Sequence, residues 1–518
     1  MSIAPQMDTV TDGAAGTVDR HATTRTFEST DPATGAVVGI FPVHDTDAVA
    51  ETVNRARAAA QQWAELGFDG RRQRLNAYRG YLARRLHELA DLVHRENGKP
   101  HADAILEITL AIDHLAWAAG HARKALGPRR VKTGLLAANH AAYLEYQPLG
   151  VVGVIGPWNY PVFTPVGSIA YALAAGNAVV FKPSEYTPAV GAWLAAAWRA
   201  AVPDAEDAVQ VVTGDGSTGA ALCRAGVGKI AFTGSAATGK KVMATCAETL
   251  TPVLMELGGK DAMIVDDDAD VVAAADAAVW GAMSNAGQTC IGIERVYATS
   301  AVYDRFVAEV TAQVRKLRPG SDDEATYGPM TMPSQIDVVR RHVQDAATAG
   351  AQVITGGSDP DSSPGENYVA PTVLLDVPED SLAVREETFG PTLTITRVRD
   401  AEEALERTNA TSYGLAGSIF SGSSKKALDL ARRMRSGMTS INSVLTFASV
   451  PALPFGGVGE SGFGRIHGED GLKEFTRSKS ITRQRFALPG GNLTSFSRPA
   501  NAADGLARVI GIVHGRHR

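Results

Sequence analysis

From Tyr146 to Leu257 the chain alternates short apolar runs with helical segments, and nothing else in it limits the fold so much. Val151-Val152-Gly153-Val154-Ile155 is almost continuously apolar and stops at Gly156-Pro157. A run without the period of two of a half-solvated strand belongs in a parallel sheet covered on both faces. Residues 178–181, 209–212, 229–232 and 253–257 repeat the pattern. Thr187-Pro188 opens a helix between two of these runs, with proline in its first turn, and 238–245 reads as another helix. The alternation resumes after residue 290, with strands at 295–298, 352–354, 392–395 and 417–420. Helices follow the pattern at 302–317, 334–349, 401–408 and 425–436. Such a chain is predicted to be α/β, with two parallel-sheet domains divided near Gly258-Gly259.

The flanks read differently. Residues 1–24 are rich in Thr, Ala and Gly without a period, and are expected to form a mobile arm. Thr46 is the expected N-cap of a helix whose face carries Val49, Val53, Ala56, Ala60 and Trp63. A helix over 71–96 ends at Gly98 and Pro100, and another runs over 102–125. Residues 490–518 are Gly- and Ser-rich, then basic. Leu506, Val509, Ile510 and Ile512 there fit one short helix, either a docked or frayed tail or a segment lying on a membrane surface.

Composition removes several function classes. A net charge of −6 in 518 residues, with 20% charged, leaves no basic footprint for nucleic acid. Three cysteines and no disulfide framework point to a reducing compartment, and a cytoplasmic protein is expected. The apolar run 169–181 is interrupted by Asn177 and is too short to span a bilayer. Metal ligand spacings such as H-E-x-x-H are missing, so no metal is expected. Asp266-Asp267-Asp268-Ala269-Asp270 lacks the glycine of a calcium loop, having Val271 instead, and reads as an acidic helix start.

Five motifs, four of them closing strands, carry chemistry. Cys290 follows Gly287-Gln288-Thr289 in a small, polar setting; it is either an accessible nucleophile or one more small buried residue. Phe232-Thr233-Gly234-Ser235 ends a strand and opens a helix, whose free N–H groups suit a pyrophosphate, although the spacing is not G-x-G-x-x-G. Phe181-Lys182-Pro183-Ser184-Glu185 offers a lysine and a carboxylate to a ribose, or is a solvated turn. Asn159 in Pro157-Trp158-Asn159 can donate to an oxyanion. Glu256 in Glu256-Leu257-Gly258-Gly259-Lys260 can act as a general base if it is desolvated.

Taken together and in this order, these motifs closely resemble the aldehyde dehydrogenase superfamily. The resemblance runs from about residue 24 to 485. It extends through Glu386-Glu387-Thr388-Phe389-Gly390-Pro391 and Pro454-Phe455-Gly456-Gly457 to Ser461-Gly462-Phe463-Gly464-Arg465. It implies two Rossmann-like domains plus a small β bridging element that makes homodimers or homotetramers. The NAD-binding domain would comprise 25–125 and 149–257, the catalytic domain 258–475, and the bridging segments 126–148 and 476–489. It assigns Cys290 as nucleophile, Asn159 with the Cys290 N–H as oxyanion donors, and Glu256 as the base that hydrolyses a thioester. Relatives that pass the acyl group to coenzyme A typically lack that glutamate. Cofactor contacts would come from Ile155, Pro157, Trp158, Lys182, Ser184, Glu185, Gly214, Phe232, Gly234, Ser235, Gly239, Leu257, Glu387 and Phe389. Glu185 would accept from a ribose 2′-hydroxyl, favouring NAD, with NADP left open. Tyr160, Thr164, Gly167, Ile291 and Phe455 would line the substrate tunnel. The small Thr164 and Gly167 imply a roomy apolar tunnel for medium-chain or aromatic aldehydes; a semialdehyde is the alternative. The chain departs from the family at Ile466, where relatives often carry an acidic residue.

Overall fold

A computed structural model describes residues 25–357, 365–487 and 494–515. The expected N-terminal arm lies outside the described residues. Two parallel sheets dominate. In the first, the order is Gly462–Phe463, Val253–Glu256, Lys229–Thr233, Val151–Ile155, Ala178–Lys182 and Val209–Val211. All neighbours are parallel except the first pair, where Gly462 faces Glu256 across an antiparallel step. The central strands are buried along their whole length, as continuous apolar runs require. Helices cover both faces, and Trp63, Tyr78 and Trp198 pack edge-on beneath one of them.

The second sheet is seven-stranded. Its centre is Thr392–Val398, Ile293–Thr299, Asp261–Val265 and Gly417–Phe420. Asp261–Val265, Thr372–Leu375 and Ser440–Ile441 are strands that the sequence pattern did not single out. The first is flanked by Gly258-Gly259 and an acidic run, which hide its five residues. A third, antiparallel sheet joins Thr476–Gln484, His140–Pro148 and Arg129–Val131. It sits in the segments expected to bridge subunits, and Val131, Leu135 and Leu136 are exposed beside it.

Four local readings need correcting. Asp45, not Thr46, caps the first long helix, its side chain accepting from the Ala48 N–H. The segment 71–96 is two helices, Gly67–Arg84 and Leu86–Asn97, because Arg85 leaves the helical basin at φ −110°. The bend keeps Leu82 and Leu89 both in the core. Thr26–Thr30 and Val37–Pro42 pair as an antiparallel ribbon that the sequence reading left unassigned. Residues 462–474, placed by sequence in the second unit, lie on the first: one strand extends its sheet, and Gly468–Glu474 packs on its helices. In the tail, Ala502–His514 is a helix with no buried residue. No helix among the described residues is long and apolar enough to cross a membrane.

Candidate active site

Strand ends build the first half of the site. Ile155, Lys182, Ser184, Glu185, Phe232 and Ser235 line a cavity of about 540 Å³ at the carboxyl edge of the first sheet. The Lys182 side chain is buried and donates to the Pro183 carbonyl at 3.1 Å, with the Glu185 carboxylate 3.6 Å away. Burial pulls the Lys182 pKa down, and Glu185 opposes it. Ser235 caps the helix Ala236–Ala247, its hydroxyl accepting from the Thr238 N–H at 3.3 Å. Gly234 and Ser235 line the cavity, so the start of that helix, where N–H groups lack intrahelical partners, stands at its wall.

This cavity shares Pro157, Trp158, Thr233, Gly234 and Ser235 with a second one of about 830 Å³, which holds Asn159, Leu257, Cys290, Glu387 and Phe389. Two expected contacts do not reach either wall. Gly214 lies behind Thr218, into whose hydroxyl a Cβ would run, and Gly219 lines the cavity in its place. Gly239 faces Leu257, where a Cβ would come to 2.6 Å, so its smallness serves packing. The Glu387 carboxylate accepts from the Gly259 N–H at 2.9 Å, and burial, reinforced by Glu294, pushes it up to about 8. Glu294 in turn accepts from the N–H groups of Thr388 and Phe389, both at 2.9 Å, and pairs with buried Lys260. That pair fixes the loop carrying Glu387 and Phe389. Sequence reading missed it because Glu294 looks like the polar edge of a strand.

The cysteine turn is strained in a defined way. Asn285 and Ala286 have φ of 53° and 55°, and Gly287 has φ of 70° with its α-carbon against the Gly390 carbonyl, leaving no room for a Cβ. The turn delivers Cys290, half-buried, to the junction of two cavities. Cys223 and Cys246 are buried free thiols, hydrogen-bonded to each other. Burial pushes the Cys290 thiol up, and the carboxylates of Glu387, Asp261 and Glu256 push it further. The charges nearest the thiol are acidic, which favours its protonated form.

Asn159 sits directly beside this turn. Its side-chain nitrogen donates to the Gln288 carbonyl at 2.9 Å, which commits one of its two N–H hydrogens and leaves the other. Its own carbonyl accepts from Lys99 at 2.9 Å and Asn285 at 3.1 Å. Glu256 is buried, and neither carboxylate oxygen has a hydrogen-bond partner among the described residues. Burial raises its pKa well above the carboxylate range, with Arg465 opposing. The Arg465 guanidinium is held by the Gly457 and Gly464 carbonyls at 2.9 and 2.6 Å.

On the far side of Cys290 lies an apolar cavity of about 270 Å³. Tyr160, Thr164, Ile291 and Phe455 line it as expected. Gly167 does not: it faces His467, whose ring nitrogen would stand 2.7 Å from a Cβ. Trp280, Leu106, Leu110, Phe163 and Leu445 add apolar bulk to the wall, so the cavity is compact where a roomy one was expected. Lys99 and Glu107 form a fully buried ion pair at its inner end, at 2.6 Å. The signal was present: Glu107 and His114 fall on the buried face of the helix His101–Leu126, where apolar residues otherwise stand.

A nucleotide-sized cleft and a small, mostly apolar cavity thus meet at one cysteine, near a buried carboxylate with no hydrogen-bond partner among the described residues. The aldehyde dehydrogenase family model matches residues 18–481. The chain belongs to the aldehyde dehydrogenase family. It is 39% identical over 467 residues to a 4,4'-diapolycopene aldehyde oxidase from a Methylomonas species, covering 90% of this chain and 87% of that one. It is 37% identical over 458 residues to a protein of Mycolicibacterium smegmatis named for succinate-semialdehyde dehydrogenase with NADP(+), covering 87% of each. A solved NAD-dependent aldehyde dehydrogenase from Sinorhizobium meliloti superposes with a TM-score of 0.86 at 33% identity, over 93% of this chain and 95% of its own. Aldehyde dehydrogenases generally use NAD or NADP, and these relatives include one of each.

Proposed function

We propose that the enzyme oxidises medium-chain aliphatic or aromatic aldehydes to carboxylic acids through a thioester on Cys290. The observation that carries this reading is the position of Cys290, shared by the cofactor-sized cleft and the apolar cavity. The residues present fit a dinucleotide. Lys182 and Glu185 would hold the adenosine ribose, Ser235 and the N–H groups beside Gly234 the pyrophosphate, and Glu387 the second ribose, with Phe389 against the nicotinamide. The nicotinamide supplies the acceptor for the hydride lost by the substrate carbon.

The rest of the chemistry falls to the protein. Cys290 gives its proton to solvent water and its sulfur adds to the aldehyde carbon, while the free N–H of Asn159 and the Cys290 N–H receive the oxyanion. Loss of hydride leaves a thioester. Glu256, whose raised pKa makes it a stronger base than an ordinary carboxylate, takes a proton from water as that water attacks. The C–S bond breaks and the acid departs. Glu185 supports NAD as the preferred cofactor. We further propose that the antiparallel sheet with Val131, Leu135 and Leu136 exposed beside it joins subunits into dimers or tetramers in the cytoplasm.

A semialdehyde is the second reading, and the name of the Mycolicibacterium relative favours it. Steady-state turnover of hexanal, benzaldehyde and acetaldehyde, with NAD and then NADP, tests the first. Hexanal or benzaldehyde is expected to exceed acetaldehyde in kcat/KM, and equal values would reject the medium-chain assignment.

A further inference from the structure

We infer that Asp103 is a specificity-determining residue that rejects aldehydes carrying a negative charge at their far end. The inference rests on the apolar cavity being the aldehyde site. Asp103 stands in the first turn of the helix His101–Leu126 and lines that cavity with Leu106, Leu110 and Tyr160.

Every other charge on this wall is committed. Lys99 spends its three N–H donors on Glu107 at 2.6 Å, on the Asn159 carbonyl at 2.9 Å and on the face of the Tyr160 ring at 4.0 Å. The second oxygen of Glu107 accepts from the N–H groups of Val162 and Phe163 at 2.7 and 3.0 Å. Lys99 and Glu107 cancel, and no arginine among the described residues lines the wall. Asp103 remains, and its carboxylate has no hydrogen-bond partner among the described residues. Burial raises its pKa, Lys99 opposes this and Glu107 adds to it.

A substrate carboxylate entering here would leave water for an apolar wall, find no cation to receive it, and face a like charge. A neutral chain meets none of these obstacles. The wall therefore separates substrates by terminal charge and not by length, which disfavours the semialdehyde reading.

The test is a charge-only comparison: succinic semialdehyde against its methyl ester, with wild type, Asp103→Asn and Asp103→Ser. Wild type is expected to favour the ester in kcat/KM. Removing the carboxylate is expected to narrow the ester-to-acid ratio about tenfold, the size of one like-charge contact at a half-screened site. An unchanged ratio in both variants overturns the inference, as does a wild-type preference for the acid. A second readout needs no turnover. With NAD bound, Cys290 is labelled by N-propylmaleimide and by 3-maleimidopropionate, and the neutral-to-anionic rate ratio is compared across the same variants. Any change in Cys290 basicity affects both reagents alike, so the ratio isolates terminal charge. If no aldehyde is oxidised yet this ratio narrows, the charge filter stands and the aldehyde reading alone fails. If aldehydes are oxidised and neither ratio moves, the reverse holds.

Discussion

The cofactor cleft and the aldehyde cavity meet at Cys290 but are built from opposite materials. The cleft is made by strand ends and backbone: Gly156-Pro157 after one strand, Lys182 at the end of the next, and Thr233-Gly234-Ser235 at a helix start. The cavity is made by side chains from a long helix, the cysteine turn and the loops around Leu445 and Phe455. The cleft is large and mixes backbone and polar groups with apolar ones, and the cavity is small and mostly apolar, with one buried ion pair and one carboxylate in its wall. Backbone construction tolerates side-chain change and binds a ligand common to the family. Side-chain construction is where one chain can differ from the next.

The substitution of largest expected effect breaks both halves at once. Cys290→Ser, which puts a weaker nucleophile at the junction, is expected to lower kcat/KM about 10,000-fold with every aldehyde, followed by the absorbance of reduced nicotinamide. Cofactor binding, measured by fluorescence titration, should survive.

Two buried lysines, one from each half, sharpen the contrast next. Lys99→Met leaves the Glu107 carboxylate buried without its partner and is expected to destabilise the fold by about 3–5 kcal/mol in denaturant unfolding. Lys182→Met loses an ion pair whose glutamate is half-exposed, and is expected to cost less than about 1 kcal/mol while raising the KM for the cofactor. Equal stability losses would show that the cavity pair is not the buried brace described above.

Glu256 separates the two halves in time. Glu256→Gln is expected to keep the first burst of reduced cofactor and to slow steady turnover about 100-fold, since only hydrolysis needs the base. The pH profile carries the sign. A carboxyl whose pKa is raised works as a base only above that pKa, so the hydrolysis rate should fall as pH drops through it, at a pH above the ordinary carboxylate range. The variant should lack this acid limb.

The smallest effect belongs to the cleft. Glu185→Gln removes the charge opposing a 2′-phosphate and is expected to shift the NAD-to-NADP ratio of kcat/KM about tenfold toward NADP.

The same contrast explains what could be read from the sequence. Backbone motifs are contiguous, so the strand-end positions of Lys182, Ser235 and Glu256 were legible as local patterns, and the strand runs placed both sheets. Gly214 and Gly239 misled because a glycine beside a phosphate and a glycine under a leucine look alike in sequence. The cavity wall was mostly illegible. Leu106, Trp280 and Leu445 come from three distant segments, and nothing local marks them as neighbours. Gly167 was assigned to that wall, yet its helix turns it toward His467. Lys99, Glu107 and Asp103 lie within nine residues, but only the fold shows which two of them cancel.

The most direct test of the account asks where the acyl group rests. Glu256→Gln enzyme is mixed with hexanal and NAD, quenched in acid after one turnover, and its peptides are weighed. One hexanoyl group is expected on the peptide containing Cys290, in proportion to the reduced cofactor formed. Reduced cofactor without that adduct, or the adduct on Cys223 or Cys246, would contradict it.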